Sequence, residues 1–388
     1  MGTGLSAINE LVRRSEAMRR ALRNTQFSPE TTKTVNKRYS LKEAESLVGR
    51  TSQTIRDNEA KGTLPRPDAD DSGRRLGFTL EQINTLRDHF GTRLRRTDQD
   101  DPVILAIQNF KGGVGKTTTA VHLAQYLSQS GLRVLLVDCD PQASSTSTFG
   151  IIPDSEVADN ETLYSYLVGD VNDLNYAPQK TYWAGLDLIP ANLDLFGAEY
   201  SIIDTVKEGG LELLKAGLDT IAPRYDVIIL DPPPALGMIS LNVLYAANAM
   251  IIPMSPASYD LYSTISFFSM LAEVLKQLDA TLGAINYRFV RLLLTRFDDQ
   301  KPAQAALAAL AREAFGHYVL NSSIKTTAEL DNAGIRLQTL YELDRPSGSR
   351  KTYLRARNMF DSAHAEIEHL IQAGWPSHAR ILRERGLL

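Results

Sequence analysis

The sequence predicts an α/β fold: a doubly wound, mostly parallel sheet carrying a phosphate-binding loop, preceded by an N-terminal helix and a small basic unit of short helices. Three observations predict it. First, beyond residue 101, apolar strand-like runs (103–107, 134–137, 186–189, 227–230, 249–253 and 290–294) alternate with helix-like stretches. Such alternation buries a parallel sheet beneath helices on both faces. Second, the first run opens directly into the glycine-rich segment 110–118 and then into the helix-like Thr119, Ala120, Val121, His122, Leu123 and Ala124. Third, the segments 111–118 and 138–140 and the residue Asp231 all fall at carboxyl ends of these strands, where such sheets bind ligands.

The 388 residues leave room for two or three domains and an ample core. Net charge is −4, but residues 1–100 carry 19 Lys+Arg against 14 Asp+Glu, and the remainder 23 against 32. A basic head on an acidic body suggests DNA contact at the front. The single cysteine, Cys139, excludes an intrachain disulfide and a cysteine metal cluster, and at a strand end it reads as a small buried apolar residue. The sequence has no apolar run of about 18 residues, so no membrane span is expected. The first residues lack a charged start leading into an apolar signal core, and the expectation is a cytoplasmic protein.

Residues 1–36 are expected to hold one amphipathic helix over about 5–25, followed by a polar linker. Leu5, Ile8, Leu11 and Val12, then Met18, Ala21 and Leu22, follow helical spacing, with Arg13, Arg14, Arg19, Arg20 and Arg23 around them. The helix could pack on its own domain or on a second copy. The linker from Asn24 to Asn36 sets it apart, which favours dimerisation.

Residues 37–98 read as a helix-turn-helix with a wing. Ser40 and Glu43 form a capping-box pattern that opens a helix burying Leu41, Ala44, Leu47 and Val48. Gly49 breaks it. A second helix runs to Ala60 with Ile55 inward and ends at Gly62. It presents Gln53, Thr54, Arg56 and Asn58, residue types suited to base edges and phosphates, with Arg50 and Lys61 flanking it. Leu64 to Pro67 and Gly73 to Gly77 suggest a short β wing with Arg74 and Arg75 at its tip, and Thr79 and Gln82 cap a further helix through Phe90. This order resembles the winged helix of MerR-type regulators, with one departure. MerR-like segments carry aromatic residues after the recognition-helix arginine, where this chain has Asp57 and Asn58.

Residues 99–388 carry the chemistry. Gly112, Gly113 and Gly115, with Val114 between them, let backbone N–H groups turn onto phosphate oxygens, and the following helix adds its positive end. Lys116 supplies a charge for the β and γ phosphates, the Thr117 hydroxyl suits Mg²⁺, and Thr118 can reach phosphate. The usual first glycine of such a loop is Phe110 here, and an extra lysine, Lys111, opens the loop. The strand 227–230 ends in Asp231, a Walker B arrangement that would orient Mg²⁺ through water. Another strand ends in Asp138 and Asp140. Asp138 is placed nearer the metal, and Asp140 is the candidate to hold the attacking water.

The segments Lys-Gly-Gly-Val-Gly-Lys-Thr-Thr (111–118), Asp-Cys-Asp-Pro-Gln (138–142) and Asp-Pro-Pro (231–233) resemble the deviant Walker A ATPases, and within them ParA, the plasmid and chromosome partition ATPases. The resemblance spans about 101–360. It implies ATP and ADP as ligands with Mg²⁺, and Lys111 reaching across a sandwich homodimer to the partner's phosphates. Asp140 would support slow hydrolysis. Asn242 matches an asparagine often found after the Walker B turn, and Thr295 and Arg296 lie where this family places adenine. The DNA-binding head points to the larger plasmid type, which implies an operator-binding autorepressor, a ParB-type centromere-binding partner that stimulates hydrolysis, and a nucleoid-associated protein in the cytoplasm.

For non-specific DNA binding the family uses basic residues after the next strand. Its usual Ile-Pro-Arg stretch reads Asn321 to Thr327 here, leaving Lys325, Arg336, Arg345, Arg350 and Lys351 as possible substitutes, better as a cluster than singly. Other classes compete. A ligand-responsive transcription factor with a non-hydrolysing ATP domain is disfavoured by the presence of Asp138, Asp140 and Asp231. A reductase like the nitrogenase iron protein would need cysteines for a bridging cluster. A membrane ATPase like MinD would need an amphipathic helix in 371–388. The stretch after Pro376 is short, and a packed or exposed tail is expected.

Overall fold

A computed structural model describes residues 4–26, 33, 37–204, 209–335, 337–343 and 348–378. The chain begins with α1 (Gly4–Gln26), on which Leu5, Ile8, Leu11, Val12 and Met18 are exposed. The expected linker falls largely outside the described residues.

Helices α2 (Leu41–Val48), α3 (Ser52–Ala60) and α4 (Leu80–Phe90) make the small N-terminal unit. Ser40 and Glu43 form a capping box on α2, Thr79 and Gln82 another on α4, and Thr51 caps α3. Gly49 closes α2 at φ 68°, a left-handed position that costs glycine little. Tyr39, Ala44, Val48, Ile55, Leu64, Phe78, Ile83 and Leu86 fill the centre. Isolated antiparallel bridges pair Tyr39 with Phe78 and Ala69 with Arg75, in the stretch where a wing is expected. Gly77 is required there, because φ is 94° and a Cβ would lie 2.7 Å from the Tyr39 carbonyl oxygen.

Eight strands make one sheet: β1 (Val103–Ile107), β2 (Val134–Asp138), β3 (Gln179–Lys180), β4 (Leu186–Ile189), β5 (Val227–Asp231), β6 (Ala249–Met254), β7 (Val290–Phe297) and β8 (Ile324–Lys325). Their order is β3-β4-β2-β5-β1-β6-β7-β8, parallel except for the edge pair β3–β4. The six expected strands are all present, four of them longer than expected, and the two-residue edges β3 and β8 are additions.

The central strands are buried on both faces. Val103, Leu105 and Ile107 of β1, with Val134, Leu136, Val227 and Ile229, join the core under α5 (Lys116–Gln129) and the long C-terminal helix. Ile104 and Ala106, with Leu135, Val137, Ile228 and Leu230, face the opposite core. This alternation is the period-2 geometry of a strand with two covered sides. Short helices α6 (Ser144–Thr148), α7 (Pro153–Glu156) and α8 (Tyr164–Leu167) follow β2. Then come α9 (Leu195–Asp204), α10 (Leu213–Ile221), α11 (Met238–Ala246), α12 (Ser258–Leu282), α13 (Pro302–Phe315), α14 (Ala328–Ile335) and α15 (Arg350–Ala373).

The N-terminal unit docks on the sheet unit through arginines. Arg87 donates to the carbonyls of Leu47 and Gln129, Arg93 to that of Gly131, and Arg96 to that of Tyr225. Burial pushes the Arg87 pKa down to about 10, and nearby Arg93 adds to it. Part of the basic charge of the first hundred residues is therefore spent inside the molecule. At the other end Trp375 is fully buried, its indole donating to the Asp101 carbonyl. Residues 379–388 of the expected tail lie outside the described residues. Among the described residues, no helix is long and apolar enough to cross a membrane.

Candidate nucleotide site

The loop between β1 and α5 is held from its carbonyl side. Thr295 Oγ1 donates to the Val114 carbonyl (2.7 Å), and Arg296 Nη1 to that of Gly113 (2.7 Å). A bulge in the β7–β8 pairing falls between Thr295 and Phe297, and Arg296 within it has φ 50°. Asn109, which the sequence reading passed over, donates to the Pro253 carbonyl and accepts from Lys111 N. Gly113 and Gly115 are left-handed, at φ 76° and 89°. The carbonyls are thus partnered on the outside while the N-terminus of α5 carries no side-chain cap and no acidic residue in its first turn. A helix end left so, with its N–H groups unspent, suits an anion.

Acids and one buried base surround this loop. Asp138 and Asp231 are register partners across β2 and β5. Both are fully buried, and burial raises the pKa of each, with the Asp231 charge raising Asp138 further. Asp231 Oδ2 accepts from Ser145 (2.8 Å), and hydrogen bonds from Ser145 and Thr117 and the Lys116 charge counter its shift. Its Oδ1 is buried with no partner. Burial lowers the Lys116 pKa, opposed by Asp231 and Asp140. These groups fit Mg²⁺ and nucleotide phosphates: an orphaned carboxylate oxygen beside a threonine hydroxyl is a cation's partner, and an uncapped glycine loop is a phosphate's. Among the described residues, no group of three or more His, Cys, Asp or Glu could hold a metal alone, as expected where phosphate oxygens and water complete the shell.

The other expected residues distribute as follows. Asp140 is partly exposed, and its Oδ1 accepts from Gln142 N. Asp138 is more occupied than a direct metal ligand: Oδ1 accepts from Asp140 N, and Oδ2 from the amide and hydroxyl of Thr146. It organises the β2–α6 corner, and the open oxygen belongs to Asp231. Asn242 has its partners within the chain. It is buried, accepts from Leu214 N and donates to the Gly210 and Met238 carbonyls, which ties α11 to α10. Lys111 is 39 % exposed, and its ammonium lies 3.7 Å from Asp260 at the start of α12. Beside the loop a cavity of about 510 Å³ is lined by Gly115, Thr117, Thr118, Thr295, Thr326 and Gln338, among others. Thr326, Thr327, Leu337 and Gln338, which line this cavity, escaped the sequence reading because no motif marks them.

The expected DNA-facing residues divide similarly. Arg56, Lys61 and Arg74 are exposed, and their side chains have no ion pair among the described residues. Gln53 donates to Asp57, Thr54 meets Thr51, and Arg50 lies over the Phe90 ring near that residue's carbonyl. Arg75 pairs with buried Glu59 and ties this stretch to α3. Lys325 pairs with Asp299 and lines the cavity beside the loop. Arg350 and Lys351 are exposed in the first turn of α15. Arg336 and Arg345 lie outside the described residues.

Comparison with known proteins agrees with this geometry. Residues 103–284 match the family model described as an AAA domain. Protein SopA of Escherichia coli K12 is 36% identical over 387 residues, covering 96% of this chain and 98% of SopA. A solved partition protein shares the fold, with TM-score 0.67 at 20% identity over 95% of this chain and 99% of its own. The Mycobacterium smegmatis cobyrinic acid a,c-diamide synthase, solved with an ATP analogue and magnesium, is 29% identical with TM-score 0.52, covering 61% of this chain and 91% of its own. With a phosphate loop, a Walker B acid and a match along nearly the whole chain, this protein belongs to the ParA- and SopA-type family of partition ATPases.

Proposed function

We propose that ATP with Mg²⁺ closes two copies of this chain into a dimer that holds DNA without regard to sequence, and that hydrolysis releases it. A ParB-type centromere-binding partner stimulates that hydrolysis. The ADP-bound or nucleotide-free form binds an operator through residues 37–98 and represses its own promoter. Residues 1–36 contribute a second dimer contact through the exposed apolar face of α1, and residues 99–388 form the ATPase. The protein works in the cytoplasm on nucleoid DNA.

The observation that carries this reading is Lys111. It opens the phosphate loop yet meets Asp260 on α12 rather than an acid of its own nucleotide site, and it remains partly exposed. A cation so placed is available to a second copy. Within one chain, Lys116 holds phosphate charge, Asp231 with Thr117 holds Mg²⁺, and Asp140 positions water. Bound Mg²⁺ supplies charge neutralisation to the phosphates. Arg56, Gln53, Thr54, Lys61 and Arg74 reach operator DNA, and Arg350 and Lys351 join the non-specific surface.

The test is complementation. Lys111→Ala and Lys116→Ala chains are each expected to lack turnover. Mixed together, they form hetero-dimers in which one site receives Lys116 from one chain and Lys111 from the other. Activity should return to about a quarter of wild type by random pairing. No recovery on mixing would refute a lysine acting across the dimer.

A further inference from the structure

Lys33 stands far ahead of the sheet in sequence, yet its ammonium ends inside the ATPase unit. Nζ donates to the carbonyls of Thr148 (2.6 Å) and Leu337 (2.5 Å) and lies 2.8 Å from Glu342 Oε2. The lysine side chain is 7% exposed and that of Glu342 0%. Burial lowers the lysine's pKa, and the charge and hydrogen bond of Glu342 oppose it. A buried cation persists only where acceptors replace water, and three do so here. Glu342 Oε1 is also engaged, by Tyr182 and by Gln125 of α5.

Two of the three acceptors, Thr148 and Leu337, line the cavity that also borders Gly115, Thr117 and Thr118. Leu337 has φ 49°, a left-handed conformation that is unfavourable for a residue with a side chain. The bond from Lys33 to its carbonyl helps hold it there. Next to it, Thr339 donates to Gln125, and Leu340 N donates to His122 Nε2. The wall formed by this stretch therefore leans on α5, the helix that starts at the phosphate loop.

We infer that Lys33 is a positioning residue for the nucleotide: a clasp that ties the chain ahead of the helix-turn-helix unit to one wall of the cavity, so that nucleotide occupancy and docking of Lys33 stabilise each other. This rests on the cavity being part of the nucleotide site. By linkage, the factor by which nucleotide protects Lys33 equals the factor by which docked Lys33 strengthens nucleotide binding. A merely structural lysine would show no such reciprocity.

The test uses the full-length protein. Acetylation of Lys33 by an amine-reactive reagent is followed by mass spectrometry without nucleotide and with saturating Mg·ADP, with exposed Lys42 as internal control. ADP affinity is measured for wild type, Lys33→Met and Lys33→Met/Glu342→Gln. The single variant strands a buried carboxylate and is expected to lose stability; the double variant removes both charges and keeps the readout. ADP should slow Lys33 acetylation about tenfold, leave Lys42 unchanged, and bind the double variant about tenfold more weakly. Wild type that binds ADP with Lys33 labelling unchanged, or a double variant with wild-type affinity, overturns the inference alone. Wild type that binds no ADP overturns the nucleotide-site reading with it.

Discussion

Asp138 and Asp231 lie opposite each other across β2 and β5, both fully buried, and one oxygen of Asp231 has no partner. Two buried carboxylates side by side are an unfavourable arrangement until a cation joins them. Asp231→Asn should therefore stabilise the nucleotide-free protein by roughly 2 kcal/mol at pH 7.5 while abolishing Mg²⁺-dependent turnover. Chemical denaturation and a phosphate-release assay on the same preparation check both halves. A variant less stable than wild type would show that the pair is already compensated.

His122 on α5 supplies a pH dependence. Burial pushes its pKa down to about 4, with Nδ1 donating to the Thr118 carbonyl and Nε2 accepting from Leu340 N. His364 lies nearby and is shifted the same way by burial and then by the His122 charge, with Arg357 disfavouring protonation of both. The folded value lies below the unfolded value of about 6.5, so the unfolded chain takes the proton first. Stability contributed by neutral His122 is complete above pH 6.5 and is lost as pH falls toward 4. His122→Gln should flatten that loss by on the order of 2 kcal/mol between pH 6.5 and 4.5, read from denaturation curves at the two pH values. Identical pH slopes in the two proteins would sink the assignment.

Arg56 and Arg75 should separate binding from folding. Arg56 is exposed and unpaired among the described residues, whereas Arg75 neutralises buried Glu59. Arg56→Ala should weaken operator binding by about 1–3 kcal/mol with the melting temperature unchanged. Arg75→Ala should lower stability, because it leaves a buried carboxylate alone. Electrophoretic mobility shifts alongside thermal melts distinguish them. A reversal of the two phenotypes would place the DNA contact on the wing tip instead.

Asp140 should matter to turnover and little to binding. It is partly exposed, and its mapped bond is to a backbone amide of its own turn. Asp140→Ala is expected to retain ATP within about threefold of wild-type affinity and to lose at least about tenfold in hydrolysis, as removal of a water-positioning group does. Loss of binding equal to the loss of rate would make it a structural residue.

The parallel sheet, the phosphate loop and the capped helices of the N-terminal unit were legible because each is written in local pattern. Val103–Ile107 is continuously apolar since it is covered on both sides, and Ser40 with Glu43 announces a helix start within four residues. What the sequence hid depends on partners far along the chain. Glu59 and Asp299 claim Arg75 and Lys325, two cations that looked free. Arg87, Arg93 and Arg96 carry no local pattern that announces their bonds to carbonyls of the sheet unit. β8 is two residues long and carries no period, so the cavity wall that follows it could not be seen. Lys33 meets Glu342 only because the fold brings the two side chains together, and no spacing rule reaches across that separation.

The most direct measurement of the central claim is binding of full-length protein to random DNA and to its own upstream DNA, each with Mg·ATP, Mg·ADP and no nucleotide, for wild type, Arg56→Ala and Lys116→Ala. The account predicts that random DNA is bound only with ATP and only when Lys116 is present. Upstream DNA should be bound with ADP or without nucleotide, and more weakly by Arg56→Ala. Random-DNA binding by Lys116→Ala at wild-type strength in the presence of ATP would contradict it.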